Sequence, residues 1–439
     1  MKPYGEGQAP VIRASSAGTA GRLPQAVDVA VIGAGIVGLC TARELARHGL
    51  RVAVFEKGYV AGEQSSRNWG WVRTLSRDVR ELPLAALSDR AWLALQAEVD
   101  VGYRRTGLAY LADSDEQLAR YAQWRDTARE HGFSAGLLDH AGLSQLIAGG
   151  RGAWRGALYS ASDGVAEPSL ACAAIAALAE RAGVSIHEYC AVRGLDIAAG
   201  RVSGIVTELG RVRCDAAVLA GGAWSRLFLG NHGVDFAQLR VRASAMRTKP
   251  LAAGVDLTLN ASGFTCRKRA DGGYTISQAG TSIADLTPDS LRLFRQFLPA
   301  WLAERKYLKL RVGARFIEEW RTPRRFALDA PTPFEACRTL DPAPATGTLA
   351  GALRNLEAAF PNFRGVQVER AWAGMIDVTP DALPVIAPLA RLPGLHLASG
   401  FSAHGFGIGP GAGLLMADLV RGVAPRVDPS VFRLERLAC

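Results

Sequence analysis

The sequence predicts an α/β protein in which a doubly wound sheet forms one domain and an antiparallel sheet the base of a second, α+β domain. Three observations predict it. Apolar residues 29–32 run straight into Gly33-Ala34-Gly35-Ile36-Val37-Gly38, and an amphipathic segment, 36–48, leaves that turn. Two more glycine-rich strand ends, Ala220-Gly221-Gly222 and the stretch after Gly400, lie far along the chain. Between them, from about 236 to 365, the pattern changes to short strands such as Gly272-Gly273-Tyr274-Thr275-Ile276, with a helix at 290–305.

The first turn reads as strand, tight turn, helix. Gly33 permits the turn, Gly35 lets backbone approach a pyrophosphate, and Gly38 lets the helix lie close on the strand, while the helix N-terminus favours phosphate charge. With 48 glycines in the chain, the spacing alone says little. The context carries it: Gly49 stops the helix, 51–55 reads as a buried strand, and Glu56 ends that strand about twenty residues on, where an acid accepts a ribose hydroxyl. A dinucleotide is the expected ligand.

Composition narrows the class. A chain of 439 residues exceeds the usual size of one core, so two domains are expected. The first 25 residues, rich in Gly, Ala, Ser and Pro, lack the apolar centre of a secretory signal and read as a disordered leader of a cytoplasmic protein. No apolar run is long enough to cross a bilayer. The seven cysteines form no C-x-x-C pair, so neither a metal site nor a disulfide framework is expected. The net charge of +10 rests on scattered arginines, with Arg321, Arg324 and Arg325 the one tight run, so nucleic-acid binding is not expected.

Along the chain, 62–73 has neither strand nor helix period but is dense in aromatics and hydrogen-bonding groups, as ligand-contacting loops are. Helices are expected at 82–101, at 116–131 with Tyr121 and Trp124 in its core face, and from Pro168 to Arg181. Strands are expected at 107–111, 184–186, 193–197, 202–207, 216–219 and 395–398, and a last helix runs to Val420.

An ordered set of motifs now carries a resemblance: the glycine turn, Ser65-Ser66-Arg67-Asn68, Ala220-Gly221-Gly222-Ala223-Trp224, Thr379-Pro380-Asp381 with Pro384, and Ser402-Ala403-His404-Gly405-Phe406. Together, over roughly 27–422, they resemble the D-amino-acid-oxidase family of FAD-dependent amine oxidoreductases. The resemblance implies FAD, a Rossmann-like flavin domain from three segments (26–105, 155–235 and 366–439), and a substrate domain (106–154 and 236–365) whose sheet covers the flavin ring. It implies oxidation of the C–N bond of an amino acid or N-substituted amine to an imine, with O2, a quinone or a carrier protein as electron acceptor. On this resemblance the cofactor contacts are Gly33 to Gly38, Glu56, Lys57, Ser65 to Asn68, Val192, Ala220, Gly221, Gly222, Trp224, Gly374 and His404 to Ile408. Some relatives attach FAD through a cysteine in the segment matching 373–377, others through a histidine in the loop matching 66–69. Gly374 and Arg67 stand there, so a noncovalent flavin is expected. The lysine of sarcosine-oxidising relatives is replaced by Gly407, and the strand resembling Tyr274 to Gln278 lacks the lysine that speeds reaction with O2.

The candidate catalytic residues are Arg73, His404, Tyr274, Trp71 and Trp69. Arg73, or its neighbour Arg77, offers a guanidinium fork for a substrate carboxylate. His404 offers a charge or hydrogen bond to the reduced flavin. Trp69, Trp71 and Tyr274 are expected to wall the pocket. A tRNA-modifying or nucleic-acid-binding flavoprotein, and a flavin-bound subunit of a larger complex, are the alternatives.

Overall fold

The computed structural model describes residues 23–437 other than 148, 281, 306 and 307, so residues 1–22 of the expected leader lie outside the described residues. The first sheet has the strand order Val385–Pro388, Leu395–Ser399, Gly210–Leu219, Ala26–Ile32, Val52–Phe55, Ser185–His187. The last five are parallel to one another, and Ala26–Ile32 lies between Val52–Phe55 and Gly210–Leu219. Its residues alternate between two cores, Val29 and Val31 facing one and Ala30 and Ile32 the other. Burial on both faces explains why these strands read as unbroken apolar runs. Helices Ile36–Arg47, Pro168–Arg181 and Gly409–Arg421 contribute to the first core. The second core is closed by the antiparallel strands Val192–Ala198 and Arg201–Thr207 and the short helix Ser225–Asn231.

The second sheet is mainly antiparallel and packs one face on helix Thr346–Ala359, burying Met246, Cys266, Tyr274 and Ile276 against Leu349 and Leu356. Its longest pairing joins Leu239–Thr248 to Val368–Val378. Two strands expected with the first domain, Gly156–Ser160 and Val368–Val378, hydrogen-bond into this second sheet instead. Their partners, Leu108–Ala112 and Leu239–Thr248, are remote in sequence, and local pattern does not reveal such pairing.

Other expectations shift in detail. The segment at 290–305 is two helices, Pro288–Arg292 and Phe294–Glu304, because Leu293 leaves helical backbone and is buried in the second core. The loop at 62–73 contains a helical turn, Gln64–Arg67, and a short strand, Trp71–Val72, paired with Gly164–Val165. Tyr121 and Trp124 are half-buried against a small cluster of Leu75, Leu108, Tyr110 and Leu158. Strand Gly136–Asp139 and helix His140–Leu146 had no sequence expectation. No helix of the described residues is long and apolar enough to cross a membrane.

Candidate active site

The two glycine-rich turns of the first sheet meet. Gly33 has φ +106°, and a Cβ there would lie 2.5 Å from the Ala220 carbonyl oxygen, so no side chain fits. A Cβ on Gly38 would fall 2.1 Å from the Gly33 carbonyl oxygen, which is how the helix comes to lie against the turn. Gly33 and Ala220 form one wall of a cavity of about 410 Å³, lined also by Gly35, Glu56, Ser65, Gly221, Gly222, Gly374 and the 403–407 loop. Glu56 sits at its expected place. Its carboxylate accepts N–H bonds from Ala34 at 2.9 Å and Gly58 at 2.8 Å, tying the second strand end to the first turn. Burial raises its pKa, against the opposing effect of Lys57. The Ser65 hydroxyl accepts from Ile36 N–H at 3.0 Å at the helix start. The cleft therefore suits a dinucleotide: backbone closes on it where Cβ atoms would intrude, and an acid stands at the second strand end.

A buried carboxylate braces the middle of the cleft. Asp377, 2% exposed, accepts from Gln64 Nε2 at 2.8 Å, Gln238 Nε2 at 3.1 Å and Gly400 N–H at 2.7 Å. Gln64 also accepts from Ala223 N–H at 3.0 Å. Gln64 and Asp377 were missed in the sequence; both lie inside segments singled out there, but nothing local marks them as partners.

Aromatic and charged side chains share the remaining wall. Trp69 and Trp71 meet edge-on at 5.2 Å, and Trp71 meets Tyr110 at 6.5 Å. The Arg73 guanidinium lies 5.9 Å from the Trp71 ring centre and 5.6 Å from that of Tyr110, and donates to the Leu75 carbonyl. Asp163 anchors this turn by accepting from Thr74 N–H at 2.9 Å and Leu75 N–H at 3.0 Å. Arg77 also lines the cleft, 4% exposed, with its Nη1 3.9 Å from Glu81 Oε1. Its Nε and Nη1 make no hydrogen bond to a described residue. Burial, then the charge of Arg73, lowers its pKa to about 10. Glu81, fully buried, is joined to His404 Nδ1 at 3.1 Å through its other oxygen. Burial opposes its charge, but His404 and Arg77 hold its pKa below the ordinary value. Glu81 carried no sequence signal, since it looks like any acid at a helix start.

Several expectations are corrected. Tyr274 does not wall the cleft: it is fully buried between the second sheet and helix Thr346–Ala359, 4.7 Å from the Phe363 ring, and its neighbour Thr275 takes the opposite face of the sheet. Ser66 turns its hydroxyl to the Glu63 carbonyl, and does not line the cleft. Ala34, Gly38 and Ile408 also lie behind the wall, the first through its N–H to Glu56 and the last 1% exposed. Lys57 lines the cleft but is occupied by Glu63 at 2.6 Å and the Cys337 carbonyl at 2.7 Å. His404 supplies no positive charge near neutral pH, because burial and then Arg77 lower its pKa to about 4, more than Glu81 raises it. Val192, Arg67, Asn68, Trp224, Gly405, Phe406 and Gly407 do line the cleft.

This fold and cleft define a flavin-dependent oxidoreductase. The chain matches the FAD dependent oxidoreductase family, DAO, over residues 28–419, and belongs to it. It resembles the L-amino acid deaminase of Proteus myxofaciens solved with anthranilate, at a TM-score of 0.92 and 31% identity, covering 95% of this chain and 94% of that one. The L-amino acid deaminase of Proteus vulgaris gives 0.91 and 31%, covering 95% and 99%. Glycine oxidase of Pseudomonas aeruginosa is 27% identical, over 92% of this chain and 97% of its own. The protein is thus an FAD-dependent oxidoreductase of amino-acid or amine C–N bonds.

Proposed function

We propose that the protein is an L-α-amino-acid dehydrogenase that binds FAD noncovalently and delivers electrons to a quinone or carrier protein in preference to O2. The observation that carries this reading is Arg77: a buried guanidinium on an aromatic-walled cleft, whose Nε and Nη1 make no hydrogen bond to a described residue. Buried donors left unmade are costly, and a substrate carboxylate satisfies them. Arg73, held over Trp71 and Tyr110, is the second fork for the same group.

FAD, when bound, accepts the two electrons released as the C–N bond becomes an imine, which water then hydrolyses. The chain's own residues orient and desolvate. Arg77 and Arg73 fix the carboxylate end, Trp69, Trp71 and Tyr110 exclude water from the Cα, and neutral His404, steadied by Glu81, presents a hydrogen-bonding ring rather than a charge. The glycine turn, Glu56 and the Ala220-Gly221-Gly222 end hold the dinucleotide.

Support for the L configuration is the 31% identity with two L-amino acid deaminases. The electron acceptor is argued from charge. Lys57 is the one lysine among the described residues lining the cleft, and Glu63 holds it, so a free ammonium to stabilise superoxide is missing there. A cytoplasmic location accords with cysteines that are unpaired among the described residues, five of them buried.

The test is steady-state turnover with L- and D-amino acids, following O2 consumption and reduction of a soluble quinone in parallel. Quinone-dependent turnover of L-amino acids well above O2 uptake is expected. O2 uptake that matches or exceeds quinone reduction contradicts the dehydrogenase assignment, and turnover of D-amino acids alone contradicts the configuration.

A further inference from the structure

We propose that the second sheet carries a separate binding site for a small dianionic oxyanion, a phosphoryl group being the simplest, between Arg247, Thr275 and Arg267 and the start of helix Pro168–Arg181. The strand register places the groups. Arg370 pairs with Arg247, Arg247 with Thr275 and Thr275 with Arg267, so all four share one sheet face. Their chain neighbours Ala371, Met246, Tyr274 and Cys266 fill the core on the other face.

These residues line a cavity of about 220 Å³ together with Ser169 and Leu170. That helix has 14 residues, no side-chain cap and no acid in its first turn. Its first α-helical bond runs from Ala171 N–H to the Glu167 carbonyl at 2.8 Å, so the N–H groups of Ser169 and Leu170 precede the hydrogen-bonded ladder.

Side chains on the sheet point to the same ligand. Thr275 is 3% exposed and Arg267 1%, yet Thr275 Oγ1 and the Nε atoms of Arg267 and Arg247 have no hydrogen-bond partner among the described residues. Glu167 is shared by three guanidiniums: Arg267 at 2.9 and 3.0 Å, Arg104 at 3.2 Å and Arg269 at 3.9 Å. Burial opposes its charge, but this company holds its pKa down to about 2. Arg247 otherwise meets Glu369, whose carboxylate is 42% exposed and whose pairing is therefore worth little. The cavity lining includes Arg247, Arg267, Arg269 and Arg370 against Glu167 and Asp271, an excess of two positive charges. An oxyanion brings the acceptors that Thr275 Oγ1 and the Nε atoms of Arg267 and Arg247 lack among the described residues.

The site is distinct from the catalytic cleft. Arg370 stands four residues along Val368–Val378 from cleft-lining Gly374, roughly 13 Å at strand rise, and Asn68 borders both cavities. The inference does not rest on the substrate assigned above.

Calorimetric titration of the holoenzyme with orthophosphate, against chloride at equal ionic strength, tests it. One saturable site is expected, weakened at least about tenfold in the Arg247→Met/Arg370→Met variant and several-fold in Thr275→Val, with flavin absorbance and amino-acid turnover retained. Thr275→Val keeps charge and size, so it remains informative if the double variant does not fold. A second arm uses glycerol phosphate: tighter binding than orthophosphate marks the phosphoryl end of a metabolite as the ligand, and weaker binding marks the free anion. Absence of saturable heat above the chloride control, or an unchanged Kd in Thr275→Val and the folded double variant, overturns the proposal.

Discussion

Gly374 abuts Arg67: a Cβ built on the glycine would stand 3.1 Å from the arginine Cβ, and both residues line the cleft. Arg67 is itself fixed, donating to the Gly62 carbonyl at 2.7 Å and pairing with Asp341 at 3.2 Å. Segments 66–69 and 373–377, singled out by the resemblance, therefore meet here, and neither holds a cysteine or histidine. We expect acid precipitation to release all the yellow chromophore into the supernatant; flavin retained on the denatured chain contradicts noncovalent binding.

Glu56 joins two turns that each border the cleft. Glu56→Leu removes two hydrogen bonds to a carboxylate, each worth about 1.5–3 kcal/mol, so FAD should bind at least about tenfold more weakly. Substrate preference should not change once the variant is saturated with FAD. Fluorescence titration of the apoprotein with FAD checks this, and an unchanged Kd returns Glu56 to a purely structural part.

The sequence favoured Arg73 over Arg77 as carboxylate anchor. The structure makes Arg77 the more buried of the two and leaves its Nε and Nη1 without a hydrogen bond to a described residue. Arg77→Met should raise KM for an amino acid by roughly 10- to 150-fold, the equivalent of about 1.5–3 kcal/mol for one charged contact. Arg73→Met should do so less, since its stacking on Trp71 and Tyr110 positions rather than completes the fork. The same amine lacking the carboxylate should not distinguish Arg77→Met from the parent enzyme.

His404 gives a prediction with a definite sign. Its folded pKa is lowered from 6.5 to about 4, so the ring is neutral across the neutral range. Its neutral burial contributes stability that is fully present above pH 6.5 and is lost as pH falls toward 4, because the unfolded chain takes up the proton first. The kcat/KM profile between pH 6 and 8 should therefore keep its shape in His404→Gln, whatever its height. An inflection near 6.5 that vanishes in the variant contradicts a neutral histidine.

Much of the flavin half was legible because its signals are local. Gly33, Gly38 and Gly49 mark a turn, a close contact and a helix stop within one strand-helix-strand unit, and Pro168 and Arg181 bound their helix as expected. The catalytic wall was less legible. Tyr274 and Thr275 differ by one place in a strand buried on both faces, and a one-residue slip exchanges core for cleft side. Glu81 meets His404 across 323 residues, and no spacing rule reaches that far. The membership of Gly156–Ser160 and Val368–Val378 in the second sheet was hidden for the same reason.

The central claim is that a carboxylate-bearing amino acid delivers its electrons to FAD in a cleft where Arg77 holds the carboxylate. Anaerobic mixing of the holoenzyme with a panel of L-α-amino acids, while following the oxidised-flavin absorbance, tests it most directly. The account predicts rapid bleaching by at least one L-amino acid, no bleaching by its decarboxylated amine, and a much higher half-saturating concentration in Arg77→Met. A flavin reduced equally well by the amine and the amino acid, or an Arg77→Met variant indistinguishable from the parent, would contradict it.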